Sequence, residues 1–164
     1  MRPIAALFTA LLLIQGCSYA ISPTVADKAD RSIPFEKIQA DPDSYKGKLV
    51  ILGGTVAMTS AAKQGTLIEV IERKLDYWGK PIRTNRTAGR FLVFVPRYLD
   101  ALVFAPGRVI TVAAEVEGTR SKALGELEYS YPVLFSKELK LWEQERASWN
   151  KLEWMDPLND PDKK

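Results

Sequence analysis

The stretch RVITVAAEVEG, residues 108–118, has an alternating pattern that decides the fold class of this chain. One set of alternate positions is aliphatic and comprises Ile110, Val112, Ala114 and Val116. The intervening set is more polar on average and comprises Thr111, Ala113, Glu115 and Glu117. Successive side chains of a β-strand point to opposite faces of its sheet. The pattern therefore predicts a strand with one face in a core and the other in water.

Four further segments have the composition of β-strands and are separated by turn-forming residues. They are residues 48–58, 66–73, 90–95 and 127–142. Gly53 and Gly54 interrupt the first of them and predict a bulge or a sharp bend. The segment 32–42, with a proline near its start and Asp41-Pro42 at its end, predicts one short helix before the first strand.

These elements indicate a mainly β fold. Five strands, one short N-terminal helix and a long excursion between the second and third strands favour a small five-stranded OB-like barrel. A half-open β-sandwich is the alternative. A C-terminal helical tail is predicted because Trp142, Trp149 and Leu152 recur near helical spacing. That helix either packs back on the barrel or binds a partner or a membrane surface.

The N-terminus carries a short apolar run that ends near the only cysteine of the chain. Arg2 precedes the run at residues 4–14, which has the layout of a secretory signal and is too short to cross a bilayer. Residues 14–17, Ile-Gln-Gly-Cys, resemble the lipobox of bacterial lipoproteins. This resemblance implies cleavage before Cys17, a diacylglyceryl group on its sulfur and acylation of the new amine, which together hold a protein stably on its membrane. A free thiol in an ordinary signal is the alternative.

Histidine is absent from the whole sequence, which excludes serine–histidine and cysteine–histidine catalysis together with the commonest metal ligand. The single cysteine excludes a disulfide within one chain, so the fold depends on its core. The net charge of +3 is too small to indicate nucleic acid by itself. We therefore expect no catalytic residues, no metal ion and no cofactor.

These features divide the chain into four parts. They are a signal peptide at 1–16, a lipidated tether at 17–32, an OB-like barrel domain at 33–142, and a C-terminal helix with a disordered tail at 143–164. The tether is assigned from small and polar residues without sustained periodicity.

The excursion between the second and third strands, residues 73–90, is strongly basic and holds six cations against one acid. Its candidate ligand-binding residues are Arg73, Lys74, Tyr77, Trp78, Lys80, Arg83, Arg86 and Arg90. Guanidinium groups bind phosphate and carboxylate in a bidentate manner, and loops beside the second and third strands of an OB-type barrel flank its ligand face. The excursion therefore suits an anionic envelope ligand, such as a lipid headgroup, lipopolysaccharide or peptidoglycan. A solvated hairpin without a ligand is the alternative.

Paired acids are the sequence's candidates for catalysis. Glu115 and Glu117, and likewise Glu126 and Glu128, are two apart and are expected on one face of a strand. A glycosidase needs two carboxylates at set distances, so a periplasmic hydrolase is a further hypothesis. Acids on the wet side of a sheet are the simpler explanation.

Two other pairs of polar residues are expected to have structural roles. Asp76 and Asp100 are predicted to cap turns. Tyr129 and Tyr131 are predicted to point together, as packing or as a polar-tipped rim.

Several motifs in order resemble one family of bacterial proteins. They are YKGKLVILGGTV (45–56), TLIEVIERKLDYWGKPIRTNRTAGRFLVF (66–94), YLDALVFAPGRVITVAAEVEG (98–118) and GELEYSYPVL (125–134). Together with the lipobox they are similar to the Slp family of Gram-negative outer-membrane lipoproteins, which is associated with starvation and stationary phase. The resemblance covers residues 17–142 and brings no established catalytic residue. Ser18 agrees with outer-membrane sorting, because an aspartate there favours the inner membrane in enteric lipoproteins.

We therefore expect a non-enzymatic, lipid-anchored outer-membrane protein that faces the periplasm and is linked to starvation or stationary-phase stress. Its expected partner is outer-membrane lipid through the acylated Cys17, and the alternative function is a module that binds an anionic envelope ligand. Basic residues with interleaved aromatics also suit single-stranded nucleic acid. The expected compartment, however, excludes nucleic acid as a partner.

Overall fold

Five strands and two short helices form in the part of the chain that the structure, a computed structural model, describes, which is residues 19–143. The strands are β1 (Leu49–Ala62), β2 (Gly65–Glu72), β3 (Arg90–Val95), β4 (Val109–Leu124) and β5 (Leu127–Leu141). The helices are α1 (Pro23–Ala26) and α2 (Phe35–Ala40), and a 3₁₀ turn follows at Asp43–Tyr45. The mainly β fold with five strands is confirmed. The lipobox and the C-terminal helical tail lie outside the described residues.

The strands close into a barrel in the order β1-β2-β3-β5-β4, with β4 paired back to β1. All neighbours are antiparallel except β3 and β5, which run parallel through Leu92–Phe94 and Val133–Phe135. Closure gives every strand two neighbours in the ring. This arrangement is OB-like rather than a half-open sandwich.

The glycine pair of β1 lies where this strand changes partners. Residues 49–55 pair with β4 and residues 54–62 pair with β2. A side chain at Gly54 would overlap the main-chain carbonyl of Ile71 on β2. The register shift of β1 falls between Val56 and Met58, so the bulge predicted at the glycine pair occurs two residues later. The glycines serve instead for close approach of neighbouring segments.

The barrel interior is filled by the aliphatic side chains that the alternation of β4 predicted to be inside. Ile110, Val112, Ala114 and Val116 all belong to this core. Helix α2 covers one end of the barrel, where Phe35 packs on Phe91 with ring centroids 5.5 Å apart. This helix is therefore stabilised by packing of its apolar residues against the end of the barrel.

The alternation predicted that the outer face of β4 is exposed to water along its whole length, and this is only partly correct. Thr111 and Ala113 are fully buried. A second small core covers this face and includes Ala20, Ile21 and Ala26, with Trp142 at its margin. Only the later half of the strand, which bears the exposed Glu117, has the expected solvated face.

The segment that covers β4 is the one expected to be a tether. Residues 19–32 include α1 and lie against the barrel. The amide and hydroxyl of Ser22 donate to the Glu138 carboxylate at 2.9 and 2.7 Å, and the Asp30 amide donates to the Leu49 carbonyl at 2.8 Å. The small apolar residues of this segment therefore serve as packing surface. Between residues 19 and 143, no helix has both the length and the apolar character needed to cross a membrane.

Candidate functional site

The basic excursion leaves β2 and folds back across the outside of β1 and β4. Leu75 and Pro81 pair as an isolated bridge and pack closely on Gly53, where an added Cβ would lie within 2.8 Å of both side chains. The Thr111 hydroxyl donates to the Gly79 carbonyl at 2.6 Å. The base of the first half of the excursion thus packs on the barrel, while its tip at Asp76, Tyr77 and Trp78 is exposed to solvent.

Asp76 organises the tip of the excursion. Its Oδ1 accepts hydrogen bonds from the amides of Trp78 at 2.9 Å and Lys80 at 2.8 Å. Asp100 does the same in the connection between β3 and β4, where its Oδ1 accepts from the Leu102 amide at 2.8 Å. Both predicted turn-capping roles are confirmed.

The structure does not bring the eight candidate ligand-binding residues together. Arg73 donates to the main-chain carbonyls of Glu72 and Arg86 at 3.1 and 3.2 Å, so it supports the excursion itself. Arg90 begins β3 and turns to a different face of the barrel. Lys80 lies 5.8 Å from the centre of the Trp142 ring.

Two of the candidates form an exposed aromatic patch with a residue that the sequence analysis did not select. The Trp78 ring lies 5.1 Å from the Tyr77 ring and 5.9 Å from the Tyr19 ring. All three side chains are exposed to solvent. We refer to Tyr19, Tyr77 and Trp78 as the aromatic patch. Proximity of Tyr19 was not predictable, because residue 19 was assigned to the tether.

The remaining cations of the excursion are open to solvent. Lys74, Arg83 and Arg86 are exposed and form no ion pair with any residue between 19 and 143. A cavity of about 400 Å³ is lined by Arg83 together with Arg73, Thr84 and Asn85, among others. A guanidinium, a hydroxyl and an amide on one cavity wall suit a small anion.

A larger groove of about 940 Å³ runs between the N-terminal segment 19–36 and residues 72–79. The aromatic patch lines part of this groove. Acidic and basic side chains, such as Asp27, Asp30 and Arg31, lie in the same groove. Its mixed charge distinguishes it from the cation-rich cavity.

A buried carboxylate that the sequence analysis missed lies on the outer face of β2. Glu69 accepts from Arg90 Nη1 at 2.7 Å, from Lys122 Nζ at 3.2 Å and from the Tyr131 hydroxyl at 3.2 Å. Buried charges persist in proteins when they are paired and hydrogen-bonded. The signal available was a single acid inside the apolar run of residues 67–71, where a carboxylate requires partners.

Electrostatics keep Glu69 ionised. Burial by itself would raise the pKa of Glu69, but the hydrogen bonds from Arg90, Lys122 and Tyr131 outweigh it and hold the pKa below its usual value. Burial and the neighbouring Glu69 charge raise the pKa of Tyr131. Tyr131 is therefore a neutral hydrogen-bond donor to an anion.

The Glu69 cluster lies on the face that OB-type barrels use for ligands, which is the outer side of their second and third strands. Lys122 and Tyr131 reach it from the long hairpin that β4 and β5 form. Leu92 and Tyr131 are fully buried there. The chain thus covers part of this face with its own hairpin.

The two tyrosines predicted to point together do so, with ring centroids 4.6 Å apart. They do not form a polar-tipped rim, because the Tyr129 hydroxyl oxygen accepts from the Arg90 amide at 3.0 Å and Tyr131 is buried. Their role is packing and hydrogen bonding at the start of β3.

The paired glutamates do not converge on a site. Glu115 forms an ion pair of 3.0 Å with Lys137, while Glu117, Glu126 and Glu128 are exposed. The prediction that Glu126 and Glu128 share a strand face is wrong, because Glu126 lies in the turn between β4 and β5. Among residues 19–143, no group of three acidic, histidine or cysteine side chains is placed to hold a metal ion.

Glu72 is a second buried carboxylate, and its environment disfavours the charge. Burial raises its pKa, a hydrogen bond from the Ala88 amide at 3.0 Å opposes the rise, and Glu36 adds to it. A raised pKa in the folded state means that stability is highest below the unfolded pKa and is lost as pH rises through the folded value.

We expect Glu72→Gln to stabilise the protein at neutral pH, because the amide oxygen can still accept from Ala88 and the buried charge is gone. The thermal midpoint should rise by about 2–4 °C at pH 7. The gain should disappear below about pH 4, where both states of the wild type are protonated. Thermal denaturation across this pH range measures it, with Glu126→Gln as an exposed control. A pH-independent gain would contradict the assignment.

The strand ring and the sites described above define a small OB-like β-barrel protein with short N-terminal helices. The chain belongs to the outer membrane lipoprotein Slp family, whose family model matches residues 14–161. It therefore belongs to the general class of bacterial envelope lipoproteins. A relative from Haemophilus influenzae, described as an uncharacterized protein, is 28% identical over 138 residues, which cover 82% of this chain and 74% of the relative.

Several solved structures have a similar course of the chain. The mitochondrial single-stranded DNA-binding protein Rim1 of S. cerevisiae is 9% identical, with a TM-score of 0.34, covering 61% of this chain and 99% of Rim1. A small single-stranded DNA-binding protein of Streptomyces coelicolor is 16% identical, with a TM-score of 0.34, covering 57% of this chain and 93% of that one. At these scores the likeness assigns no ligand to this chain.

The sequence-based exclusion of nucleic acid is nevertheless wrong. Proteins described as binding single-stranded DNA are found among the structural neighbours, including one from Plasmodium falciparum. The exclusion gave the expected compartment more weight than the association of OB-type barrels with single-stranded nucleic acid.

Proposed function

We propose that this protein is a non-enzymatic lipoprotein that acyl chains on Cys17 hold to the outer membrane, with its barrel in the periplasm. The observation that carries the proposal is the extent of the family match, which begins at Ile14, the first residue of the lipobox, and continues through the barrel. The lack of histidine and the dispersed glutamates support a role other than hydrolysis.

Cys17→Ala tests the anchor in a Gram-negative host. We expect the wild type to carry the mass of a diacylglyceryl and an amide-linked acyl group on Cys17 and to float with outer-membrane vesicles. The variant should lack the added mass and fail to be cleaved before residue 17. Ser18→Ala is the matched control, because it leaves the lipobox intact. An unmodified thiol in the wild type would refute the proposal.

A link to starvation is the finer part of this proposal and rests on the resemblance to the Slp family. We expect the protein to accumulate on entry into stationary phase, which immunoblotting measures. A deletion strain should lose viability faster during prolonged starvation, and the wild-type gene should restore viability while Cys17→Ala should not. Equal survival of the deletion strain and its parent would contradict the link.

The second candidate function is binding of an anionic envelope ligand by the excursion. It is favoured by the exposed Arg83, which lines the 400 Å³ cavity, and by the exposed Arg86 three residues further along the excursion. Arg90 no longer belongs to this candidate site, because its guanidinium is engaged with Glu69.

The double variant Arg83→Ser/Arg86→Ser tests this binding function. We expect about a tenfold weaker retention on lipopolysaccharide or peptidoglycan, since each charge-assisted hydrogen bond contributes about 1.5–3 kcal/mol before solvent screening. Lys46→Ser/Lys63→Ser is the control, because it removes the same charge from exposed positions elsewhere. A single-stranded DNA oligonucleotide serves as a third probe. If both double variants were retained equally, net charge alone would explain the binding and the candidate site at Arg83 and Arg86 would be refuted.

A further inference from the structure

We infer that the aromatic patch rests on the anionic headgroup surface of the leaflet that carries the Cys17 lipid, so that the barrel has a defined orientation on its membrane. The inference rests on the proposed acylation of Cys17. It adds a second contact to the anchor and names the residues that make it.

The patch is close to the anchor along the chain. Tyr19 follows Cys17 by two residues, and two residues of extended chain span at most about 7 Å. Tyr19 itself belongs to the patch, and the Ala20 amide donates to the Trp78 carbonyl at 3.3 Å. A lipid on Cys17 therefore brings Tyr19 and Trp78 to the level of the headgroups.

The side chains of the patch have the chemistry of residues found at membrane–water interfaces. Tyr77 is 81% exposed and Trp78 47% exposed, although each side chain carries a large apolar surface. Tyrosine and tryptophan are enriched at membrane–water interfaces, where the ring lies among the headgroups and its polar atom meets water. Ile82, a few residues along the same excursion, adds a further exposed apolar side chain.

Lysine side chains lie near the patch and give this part of the surface cationic groups. Lys74 and Lys80 flank it in sequence, and Lys80 and Lys140 each lie 5.8 Å from the Trp142 ring, whose indole N–H donates to the Thr111 hydroxyl that also bonds Gly79. Cations near an anionic lipid surface are attracted to it, and this attraction falls off within a Debye length. The one acid of the excursion, Asp76, is occupied by two amides of its own turn.

A second group of exposed apolar side chains provides an internal comparison. Tyr98, Leu102 and Val103 lie in the connection between β3 and β4. Leu99 of this connection donates to Thr66 at the beginning of β2, whereas the excursion leaves from the end of β2. Exposure alone is therefore shared by two regions, and proximity to Cys17 distinguishes the aromatic patch.

The experiment places a fluorescent label on each region of the full-length, host-processed protein. Acylation consumes the only native thiol, so Tyr77→Cys and Leu102→Cys each introduce one reactive site at positions that are 81% and 86% exposed. Each labelled protein is reconstituted in vesicles of phosphatidylethanolamine and phosphatidylglycerol that contain a headgroup-level quencher. We expect several-fold stronger quenching at position 77 than at position 102.

The results separate the inference from the proposed function, because mass spectrometry of Cys17 is measured on the same samples. Acylated protein with equal quenching at the two positions, or stronger quenching at 102, would overturn the inference and leave the anchor intact. An unmodified Cys17 with quenching at neither position would overturn both.

A second pair of variants tests the contact without a label at the patch. The label is kept on Leu102→Cys, and Trp78→Ser is compared with Val103→Ser in acylated protein. If the patch orients the barrel, Trp78→Ser should broaden the range of orientations and increase quenching at 102. Val103→Ser should leave quenching at 102 unchanged. Identical quenching in both variants would count against the inference.

Discussion

Gly54→Ala is expected to lower the free energy of unfolding by more than about 3 kcal/mol, or to prevent folding altogether. A methyl group at this position would overlap the Ile71 carbonyl oxygen and lie 2.8 Å from the Ile71 carbonyl carbon and from Val70 Cγ1. Main-chain atoms of a paired strand cannot move aside without breaking the ladder between β1 and β2. Because β1 pairs with both β2 and β4 at Gly54, the loss would reach the closure of the barrel.

Chemical denaturation of Gly54→Ala and Gly107→Ala measures this effect. Gly107 has a positive φ of 88° and no atom within 4 Å of an added Cβ, so its substitution introduces only backbone strain. We expect that control to cost about 1 kcal/mol. A similar loss in the two variants would mean that the close approach of β1 and β2 is not what requires Gly54.

Glu69→Ala is expected to cost about 2–4 kcal/mol at neutral pH. Arg90 and Lys122 retain some solvation when the carboxylate is removed, because their side chains are 32% and 38% exposed. The Tyr131 hydroxyl is buried and would lose its acceptor. The substitution also removes the contacts of the β4–β5 hairpin with Glu69 on the outer face of β2, since Lys122 and Tyr131 belong to that hairpin.

The pH dependence gives this prediction a sign. The pKa of Glu69 is lowered in the folded state, so its contribution is fully present above the unfolded pKa of about 4.3 and is lost as pH falls through the folded value. The difference between wild type and Glu69→Ala should therefore shrink in acid. Glu72 acts in the opposite direction, which makes the two variants distinguishable in one titration of stability.

Two comparisons make the Glu69 result specific. In a double-mutant cycle with Tyr131→Phe, we expect strong non-additivity, because the two side chains share a hydrogen bond of 3.2 Å. Glu115→Ala removes an ion pair whose partners are 38% and 39% exposed, and it should cost less than about 1 kcal/mol. Equal losses at Glu69 and Glu115 would mean that the buried cluster does not stabilise the hairpin.

The coverage of the OB-type ligand face changes how the barrel can work. The hairpin of β4 and β5 holds Glu69 with two of its own side chains. A ligand for that face would have to displace this contact, whereas Arg83, Arg86 and the aromatic patch are exposed to solvent. For this reason both binding proposals concern residues 73–86 and Tyr19, and neither concerns the face used by other OB-type barrels.

The sequence by itself determined the features that depend on short-range pattern. Aliphatic and β-branched composition determined the five strands, and alternation determined the inward face of β4, because a strand must bury one set of alternate side chains. Asp76 and Asp100 were identified as turn caps because a carboxylate bonds amides two residues away. The ordered motifs were sufficient for the family, which the match over residues 14–161 confirms.

Only the tertiary structure decided which distant segments meet. It placed Tyr19 on Trp78 and covered Thr111 and Ala113 with the segment assigned to the tether. It separated Arg90, which pairs with Glu69, from the other cations of the basic excursion. It also brought Lys122 and Tyr131 to Glu69, across 53 and 62 residues of chain. Local pattern carries no information about such contacts, because they depend on how a closed barrel folds its connections over its outer surface.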